Sequence, residues 1–528
     1  MPSSDACPIF LDGTYEVLPG FAIAAAAVAF SFGIEAIAVP RSSLGRPLAA
    51  IVLHVAALAV VAGSTLALTA RPLFSVSVAL VSIAVLAVVS NAKYESLREP
   101  FVFTDLSLFS QAFSHPRLYL PFLSFGKVLG LVASLAVAVV GFLLESPTGA
   151  TQRCLAGLLA IGGLAICFSQ SRRLPLSLQP MLDQHRFGFF ATFVAYLING
   201  TRSAERDAFA RVVQSTPFSH GHPEASAHPD VIVVQSESYF DARRLGGFVS
   251  STPYANLDRI RQEAFEHGRL TVPAWGANTM RSEFAMLTGL PSDAMGYARF
   301  YPYMYVRRAT ASLAGWFKRG GYRTFAVHPY YSDFFGRRRA FRFMHFDHFL
   351  DVQDFADAIR VGSYVGDESV ADALLALLET GSDQPVFAFA ITMENHGPLH
   401  LEAVAPGEFT SRHTLGDDAR WRDLTAYLRH IEHADDMIGK ITDYLRERGR
   451  PTVLCFYGDH VPAMTSVFDA LETEPNHSDY FIWRNFAEDS GERRDARVEN
   501  LGSAIQRAMK RQSCAVADSR EELQQLPA

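Results

Sequence analysis

Residues 230–237 read DVIVVQSE, a run of apolar β-branched residues that ends in a polar cluster. A continuous apolar run, in place of an alternating one, is typical of a parallel strand that is buried on both faces of its sheet. Three later stretches have the same form: YRTFAVH at 322–328, QPVFAFAITMENH at 384–396 and PTVLCFYGDH at 451–460. The chain from residue 230 onward is therefore predicted to contain a mainly parallel central sheet.

Amphipathic segments alternate with these strands. NLDRIRQEAFEHG at 256–268, VADALLALLETG at 370–381 and LTAYLRHIEHADDMIGKITDYLRERG at 424–449 have the apolar spacing of helices. Strands that alternate with helices are typical of the α/β class. We therefore expect an α/β domain in this half of the chain.

Each predicted strand leads directly into side chains that can do chemistry. In chain order these are Glu237, His328, His396, Asp459 and His460. In an open parallel sheet, ligands bind beyond the carboxyl ends of the strands, so these side chains are expected to converge at one edge. The two carboxylates and the imidazole of Glu237, Asp459 and His460 indicate a divalent-cation site, with Mn²⁺ or Mg²⁺ favoured and Zn²⁺ as an alternative.

The segment WGANTMRSEFAMLTGL at 275–290 adds a hydroxyl at the start of a predicted helix. Thr279 is a preferred helix N-cap residue, and the same helix terminus offers free backbone N–H groups to a phosphate. A threonine hydroxyl becomes a nucleophile when a divalent cation lowers its pKa. The capping and nucleophilic roles are therefore compatible, and the amide of Asn278 is expected to reach the phosphate oxygens.

The N-terminal part has a different composition. The 528-residue chain has a net charge of −7, which excludes the basic footprint of a nucleic-acid-binding protein. Charged residues are sparse over the first 170 residues, where the apolar runs are Val17–Val39, Leu48–Leu68, Leu73–Val89, Val128–Leu144 and Cys154–Phe168. We predict an α-helical transmembrane bundle of about five spans, with four as the alternative.

The segment that connects the two parts begins with apolar residues and continues with polar ones. His185–Gly200 is apolar but too short to span a membrane comfortably, and we expect an interfacial helix there. A polar linker follows, in which His220, His222 and His228 offer a less favoured metal site. The five cysteines include no CxxC pair, which argues against a disulfide framework and against a thiolate zinc site.

Six motifs lie between about residue 228 and about residue 490: ESYFD, GANTMRSEF, FFGR, MENHGP, FYGDH and SDYFIW. Together they resemble the lipoteichoic acid synthase-like family of membrane phosphoglycerol transferases, which belongs to the alkaline phosphatase/sulfatase superfamily. The apolar N-terminal region, with its loop KYESLREPFVFTD, also resembles the membrane part of that family. The resemblance implies a sulfatase-like α/β catalytic domain behind a membrane domain.

The resemblance assigns a cation site and a nucleophile. The family binds one divalent cation, typically Mn²⁺, through a glutamate, a threonine, an aspartate and a histidine. These match Glu237, Thr279, Asp459 and His460. Thr279 is then expected to carry the transferred group as a covalent intermediate.

The resemblance also implies substrate-binding residues. They are Arg337, His396 and His328, to which the position of Asn278 before the helix adds a fourth. The aromatic residue two positions before the arginine is often tryptophan in the family and is Phe335 here, a change expected to alter the pocket. Arg338 and Arg339 are alternative positions for the arginine.

The implied reaction moves a glycerophosphate group from a phospholipid donor such as phosphatidylglycerol to a glycan or polyglycerolphosphate acceptor. We expect a multi-pass protein of the cell (inner) membrane with its catalytic domain on the periplasmic or extracellular side. The basic residues favour the opposite orientation, because the positive-inside rule would place them, and the catalytic domain with them, in the cytoplasm. They are Arg41, Arg46, Lys93, Arg98, Arg172 and Arg173.

We expect four segments: a transmembrane domain at 1–170, an interfacial helix and linker at 171–227, a catalytic domain at 228–510 and a tail at 511–528. Three alternative functions stay open. A phosphoethanolamine transferase would use the same site, although such enzymes tend to have periplasmic disulfides, and a hydrolase would use water as the acceptor. A non-catalytic membrane scaffold would bind no metal. Sulfate-ester hydrolysis is disfavoured because no C/S-x-P-x-R motif surrounds residue 279.

Overall fold

The chain folds into two compact units. The computed structural model describes residues 12–108, 115, 125–223, 228–379 and 383–510. One unit comprises Met1–Ala208 with Gly296–Phe300, and the other comprises Phe209–Met295 with Tyr301–Ala528. The predicted tail at 511–528 lies outside the described residues, and the predicted limits of the segments stay predictions.

The N-terminal unit is helical. Its helices are α1 (Asp12–Glu35), α2 (Leu48–Thr69), α3 (Pro72–Leu97), α4 (Phe125–Leu144), α5 (Ala150–Ser171), α6 (Pro180–Phe187) and α7 (Phe189–Gly200), and α8 (Ser203–Gln214) contains the boundary between the units. Helices α1 to α5 contain the five predicted apolar runs or most of each run. Among the described residues, α2, α3 and α5 are long and apolar enough to cross a membrane, by length and composition, while α1 and α4 contribute shorter apolar segments. The apolar helical part is confirmed, and the number of spans stays a prediction.

Helices α2 and α5 pack closely because small residues line their contact. A Cβ atom at Gly63 would lie 2.8 Å from the carbonyl oxygen of Ala156, and one at Gly163 would lie 3.0 Å from the carbonyl oxygen of Ala56. Small residues let the backbones of two apolar helices approach, which matters where lipid removes the hydrophobic drive for association. The close contact of α2 with α5 therefore requires residues without a side chain at Gly63 and Gly163.

The segment His185–Gly200, predicted as one interfacial helix, is divided between two helices. They meet at Gly188, whose φ of 93° favours glycine, and a Cβ there would lie 2.8 Å from Oε1 of Glu35. Phe190 and Ala191 of α7 pack into a buried cluster with apolar residues of α2. The apolar side chains that suggested an interfacial helix therefore help to form the core of this unit.

A mixed sheet forms the centre of the C-terminal unit. The strands are β1 (Asp230–Ser236), β2 (Glu266–Thr271), β3 (Arg323–Val327), β4 (His348–Leu350), β5 (Arg360–Val361), β6 (Tyr364–Val365), β7 (Val386–Ile391), β8 (Thr452–Gly458), β9 (Ser478–Arg484) and β10 (Ala496–Arg497). Eight of them form one sheet in the order β10-β2-β9-β8-β1-β7-β3-β4, and β5 pairs with β6. Pairing is parallel from β8 through β1, β7 and β3 to β4, and antiparallel where β9 joins β8 and β2.

Helices connect these strands. They are α9 (Ala255–Glu263), α10 (Thr279–Thr288), α11 (Pro302–Tyr305), α12 (Leu313–Arg319), α13 (Arg337–Phe343), α14 (Asp367–Leu378), α15 (Glu408–Arg412), α16 (Arg422–Glu447), α17 (Thr465–Ala470) and α18 (Leu501–Ala508). Leu424, Leu428 and Ile431 of α16 are fully buried at helical spacing and share a core cluster with Ile232 and Val234 of β1. The apolar stripe of α16 therefore covers one face of the central strands.

The structure confirms the predicted fold class, with apolar N-terminal helices followed by an α/β domain around a mostly parallel sheet. The four strands predicted from continuous apolar runs are β1, β3, β7 and β8, and they are neighbours in the sheet. The helix predicted at 256–268 is wrong in its last residues, because α9 ends at Glu263 and β2 begins at Glu266. Burial alternates along β2, which is the period of a strand rather than of a helix.

Candidate active site and metal centre

The carboxyl ends of β1 and β8 bring three predicted ligands together. These strands are parallel, and Ser236 pairs in register with Gly458. Glu237 is the residue after β1, and Asp459 and His460 are the residues after β8, so the register places them side by side. All three side chains are buried, and their donor atoms lie within 4.8 Å of one another.

The orientation of His460 suits a metal ligand. Its Nδ1 lies 2.9 Å from the carbonyl oxygen of Val461, so Nδ1 carries the proton and donates it there. Its Nε2 lies 3.3 Å from Oδ2 of Asp459 and 3.5 Å from Oε1 of Glu237. A histidine that binds a metal through one nitrogen typically donates the other N–H to a carbonyl or carboxylate.

Two donor atoms of this group lack a hydrogen-bond partner in the described part of the chain: Oδ2 of Asp459 and Nε2 of His460. A buried polar atom without a partner is unfavourable, and buried carboxylates need compensating charge. Burial and the neighbouring charge of Glu237 raise the pKa of Asp459 to about 7. Two carboxylates and one imidazole nitrogen therefore fit a divalent cation, both by donor type and by unmet charge.

Thr279 lies at the edge of this group. It is the first residue of α10, and its Oγ1 lies 3.5 Å from Oε2 of Glu237. The N-cap position belongs to Asn278, which has a left-handed φ of 68° and makes no capping hydrogen bond with its side chain. The prediction that Thr279 is the cap is wrong by one residue, because the left-handed turn at Asn278 starts the helix. The backbone N–H of Gly276 donates to the carbonyl oxygen of Val461 at 3.1 Å. This bond holds the loop before α10 beside the ligand group, which is Glu237, Asp459 and His460.

Ser238 joins the ligand group, and the sequence analysis missed it. Its backbone N–H donates to Oδ1 of Asp459 at 2.8 Å, and its hydroxyl donates to Oε1 of Glu237 at 3.0 Å. These bonds orient both carboxylates. The signal was its place directly after Glu237 in ESYFD, but sequence alone does not show that its left-handed φ of 56° turns the backbone N–H toward Asp459.

Arg337 and His328 lie together in a buried network. Nη2 of Arg337 donates to Glu283 at 2.9 Å, and its Nη1 lies 3.1 Å from Nε2 of His328. Nδ1 of His328 lies 3.2 Å from the carbonyl oxygen of Ile391, so Nδ1 carries the proton and Nε2 accepts from Arg337. Burial and the positive charge of Arg337 hold the pKa of His328 well below its usual value. Protein groups thus engage both side chains, and their contact with a substrate stays a prediction.

Glu283 connects this network to the helix of Thr279. It lies four residues after Thr279 in α10, is fully buried, and also accepts a hydrogen bond from the hydroxyl of Tyr303. The ion pair with Arg337 therefore fixes the orientation of α10 relative to α13. The stretch GANTMRSEF contained this glutamate, but its partner is distant in sequence and could not be named from it.

His396 is the most accessible of the predicted substrate-binding histidines. It is half-buried, and its Nδ1 lies 2.7 Å from the carbonyl oxygen of Gly397. Its ring centroid is 5.5 Å from that of Tyr364, and its charge contributes to lowering the pKa of His328. This arrangement leaves Nε2 of His396 free of the backbone contact that holds Nδ1.

The family of the chain follows from a sequence model. The sulfatase family model matches residues 229–507, which is more than half of the chain. The chain belongs to the sulfatase family. This finding confirms the superfamily resemblance seen in the motifs, and the match begins one residue before β1 and extends through most of α18.

Several named proteins and one solved structure are similar to this sulfatase-family chain. The chain is 30% identical over 451 residues to capsular polysaccharide biosynthesis protein RkpI of Rhizobium meliloti, covering 80% of each protein. It is 24% identical over 147 residues to lipoteichoic acid synthase 1 of Bacillus subtilis, covering 27% of this chain and 22% of that protein. The lipooligosaccharide phosphoethanolamine transferase A (EptA) of Neisseria meningitidis, an integral membrane protein, has a TM-score of 0.53 at 13% identity, covering 90% and 94% of the two chains. The structural likeness supports the same fold, with apolar helices preceding a sulfatase-like domain.

Six of the eight predicted site residues fall into two groups, and Asn278 and His396 lie outside both. Glu237, Asp459 and His460 form one compact cluster with Thr279 at its edge, while Arg337 and His328 form a separate buried network. The alternative site at His220, His222 and His228 is absent from the metal-type clusters found in the described residues. Arg338 is mostly exposed and Arg339 donates to the carbonyl oxygen of Tyr303, so neither replaces Arg337 in its network.

Replacing Arg337 by methionine is expected to destabilise the protein. The side chain is 1% exposed and its loss leaves Glu283 buried without a charge partner, a change that typically costs about 3–5 kcal/mol. Arg338→Met is the matched control, because Arg338 is 71% exposed and its ion pair with Asp351 is a surface pair worth about 1 kcal/mol or less. Thermal unfolding of the full chain in detergent measures the difference. Equal stability of the two variants would show that the buried pair does not hold the fold together.

Proposed function

We propose that this chain is a membrane-bound, metal-dependent phosphoglycerol transferase. It moves a glycerophosphate group from a lipid such as phosphatidylglycerol to a hydroxyl of a glycan or polyglycerolphosphate acceptor. One observation carries the proposal: the Thr279 hydroxyl lies at a helix N-terminus, 3.5 Å from a buried carboxylate of a group with unpaired metal-type donor atoms. A nucleophile, a cation site and an anion-binding helix terminus in one place are what phosphoryl transfer requires.

Glu237, Asp459 and His460 hold one divalent cation in this proposal, and Thr279 completes the set. Mn²⁺ is favoured, with Mg²⁺ and Zn²⁺ as alternatives, because two carboxylates and a hydroxyl are oxygen donors. A bound cation supplies two effects, a lower pKa for the threonine hydroxyl and withdrawal of electron density from the phosphoryl group. Ser238 contributes by holding both carboxylates in place through its hydroxyl and backbone N–H.

The reaction proceeds in two displacements. Oγ1 of Thr279 gives up its proton and attacks the phosphorus of the donor, an Oγ1–P bond forms, and the bond from phosphorus to the diacylglycerol oxygen breaks. Diacylglycerol leaves with a proton, and glycerophosphate stays bound to Thr279. An acceptor hydroxyl then loses its proton and attacks the same phosphorus, a new O–P bond forms, the Oγ1–P bond breaks, and Oγ1 of Thr279 takes a proton back. Backbone N–H groups at the N-terminus of α10 stabilise charge on the phosphoryl oxygens.

His396 is the proposed proton carrier for the leaving and attacking oxygens. His328 is unsuited to that role, since its two ring nitrogens are engaged and its pKa lies well below the usual value. His396 is half-buried and has one nitrogen fixed on the backbone, which leaves the other to exchange a proton. Arg337 then acts as a positioning residue, through Glu283 on the helix of Thr279.

The partners follow from two further observations. Apolar helices precede the catalytic domain, which supports a donor that is itself a lipid of the bilayer. The relative that covers 80% of this chain is named for capsular polysaccharide biosynthesis, which supports a glycan as the acceptor. Both partners lie at a membrane surface, so the proposal needs no soluble intermediate carrier.

Thr279→Ala is expected to abolish transfer and covalent labelling. After incubation of the full chain with phosphatidylglycerol or with phosphatidylethanolamine, mass spectrometry of the Thr279 peptide identifies the group it carries. A glycerophosphate adduct is expected from the first lipid, and Thr279→Ser, which keeps a hydroxyl, is the matched control that retains labelling. An adduct from phosphatidylethanolamine alone would replace the proposal by phosphoethanolamine transfer. Full transfer by Thr279→Ala would refute the mechanism.

His396→Ala is expected to lower kcat by about 10²–10⁴-fold, the usual effect of losing a proton carrier, with little change in thermal stability. The loss of activity should be largest with acceptors whose hydroxyl is hardest to deprotonate. His400→Ala is the control, because His400 lies exposed in the same loop. Loss of activity that tracks loss of stability would assign His396 a structural role instead.

The catalytic domain is expected on the periplasmic or extracellular side of the inner membrane, where envelope glycans are found. A reporter fused after the C-terminus, one that is active only outside the cytoplasm, measures this directly. A paired reporter that is active only in the cytoplasm serves as the control. Signal from the cytoplasmic reporter alone would favour the orientation that the basic residues indicate.

A further inference from the structure

We propose that Glu394, His430 and His433 form a second metal site, of the zinc type, outside the catalytic group. Glu394 lies in the loop after β7, and the two histidines lie three positions apart on α16. Nδ1 of His430 is 2.9 Å from Oε1 of Glu394, and Nδ1 of His433 is 2.5 Å from the same oxygen. Two imidazoles and one carboxylate are a ligand set that zinc uses with a fourth, open position.

Hydrogen bonds with surrounding residues orient these ligands as a metal site would require. Nε2 of His430 lies 2.9 Å from Oε2 of Glu402, so a proton on Nε2 is donated there, and Nδ1 faces Glu394, where a metal would take the place of the Nδ1 proton. Nη2 of Arg429 holds the same Glu402 at 2.6 Å. Oε2 of Glu394 accepts the backbone N–H of Asp367 at 2.8 Å, which leaves Oε1 for the site. Metal-binding histidines and carboxylates are typically fixed in this way by a second layer of hydrogen bonds.

Asp367 is a buried carboxyl group next to Glu394. It is the first residue of α14, and its Oδ1 has no hydrogen-bond partner among the described residues. The charges of Glu394 and His430 both act on it. Burial and the neighbouring carboxylate of Glu394 favour the neutral form of this carboxyl group, and a cation among the three ligands would favour its charged form.

The dimensions fit zinc after small side-chain movements. Zinc binds nitrogen and oxygen at about 2.0–2.2 Å, so neighbouring donors in a tetrahedral site lie about 3.3 Å apart. The observed separations of 2.9 Å and 2.5 Å need to open by less than about 1 Å. His433 is 34% exposed, which gives its side chain room to move and gives the ion a route of entry.

A metal here would position the loop that carries His396. Glu394 is two residues before His396, while the histidines belong to a helix packed in the core. The site therefore ties the loop to a rigid element, independently of which group the enzyme transfers. The rival arrangement is an ion-pair cluster in which both histidines are protonated and neutralise Glu394 without a metal.

Zinc stoichiometry separates the two arrangements. The full chain in detergent is stripped with a chelator, dialysed against Zn²⁺ alone, and its metal content per chain is measured by mass spectrometry. We expect two equivalents for the unchanged protein, one for His433→Ala, one for Asp459→Asn in the catalytic group, and none for the double variant. His400→Ala is the control and keeps both equivalents, because His400 is an exposed histidine of the loop that carries Glu394.

His433→Ala with the same zinc content as the unchanged protein would overturn the second site and favour the ion-pair cluster. His433→Gln, which keeps a polar side chain, replaces the alanine variant if that variant unfolds. The absorption spectrum of Co²⁺ bound to the Asp459→Asn variant is a second measurement. A tetrahedral cobalt spectrum that disappears with His433→Gln supports the site, and the absence of any such spectrum contradicts it.

Discussion

The parallel pairing of β1 with β8 is the constraint on which the candidate site depends. Its register sets Glu237 beside Asp459 and His460, and the close approach of the backbones leaves no space for a side chain in between. A Cβ atom at Gly458 would lie 1.9 Å from the carbonyl oxygen of Tyr239. Two carboxylates held together and away from water carry an unfavourable excess of negative charge. In the proposed function a divalent cation neutralises this charge, and the Thr279 hydroxyl at its edge is the reactive group.

Much of this arrangement is visible in the sequence because buried parallel strands have an unusual pattern. Continuous apolar runs identified β1, β3, β7 and β8, and the rule that ligands bind at strand ends selected the polar residues behind them. The antiparallel strand β2 was missed because its residues, with Glu266 and Arg269 among them, resemble the end of an amphipathic helix. Its identity depends on pairing with β9, a contact more than 200 residues away in sequence that local pattern does not encode.

The same distinction applies to the predicted site: neighbouring residues in sequence indicate some of its members, while others depend on contacts between distant parts of the chain. Glu237, Asp459 and His460 were predicted from their places directly after strands, and the structure brings them together. Thr279 was named from a predicted helix start, and its catalytic role stays a prediction. Ser238 escaped notice because its contribution comes from a left-handed backbone turn. The partner of Arg337 escaped because Glu283 lies 54 residues earlier. Arg337, expected to face a phosphate, forms an ion pair with Glu283 on the helix that begins at Thr279, and its contact with a substrate stays a prediction.

Three clusters of charged side chains lie near the carboxyl ends of the strands. The ligand group lies at the centre, the Arg337 network fixes α10, and the cluster around Glu394 fixes the loop of His396. Anomalous diffraction from crystals of the full chain grown with Mn²⁺ tests the central claim most directly. The account predicts a manganese peak bound by Glu237, Asp459 and His460, with Oγ1 of Thr279 among its ligands. A structure in which these donors are paired with protein groups, and manganese is absent or bound elsewhere, would contradict it.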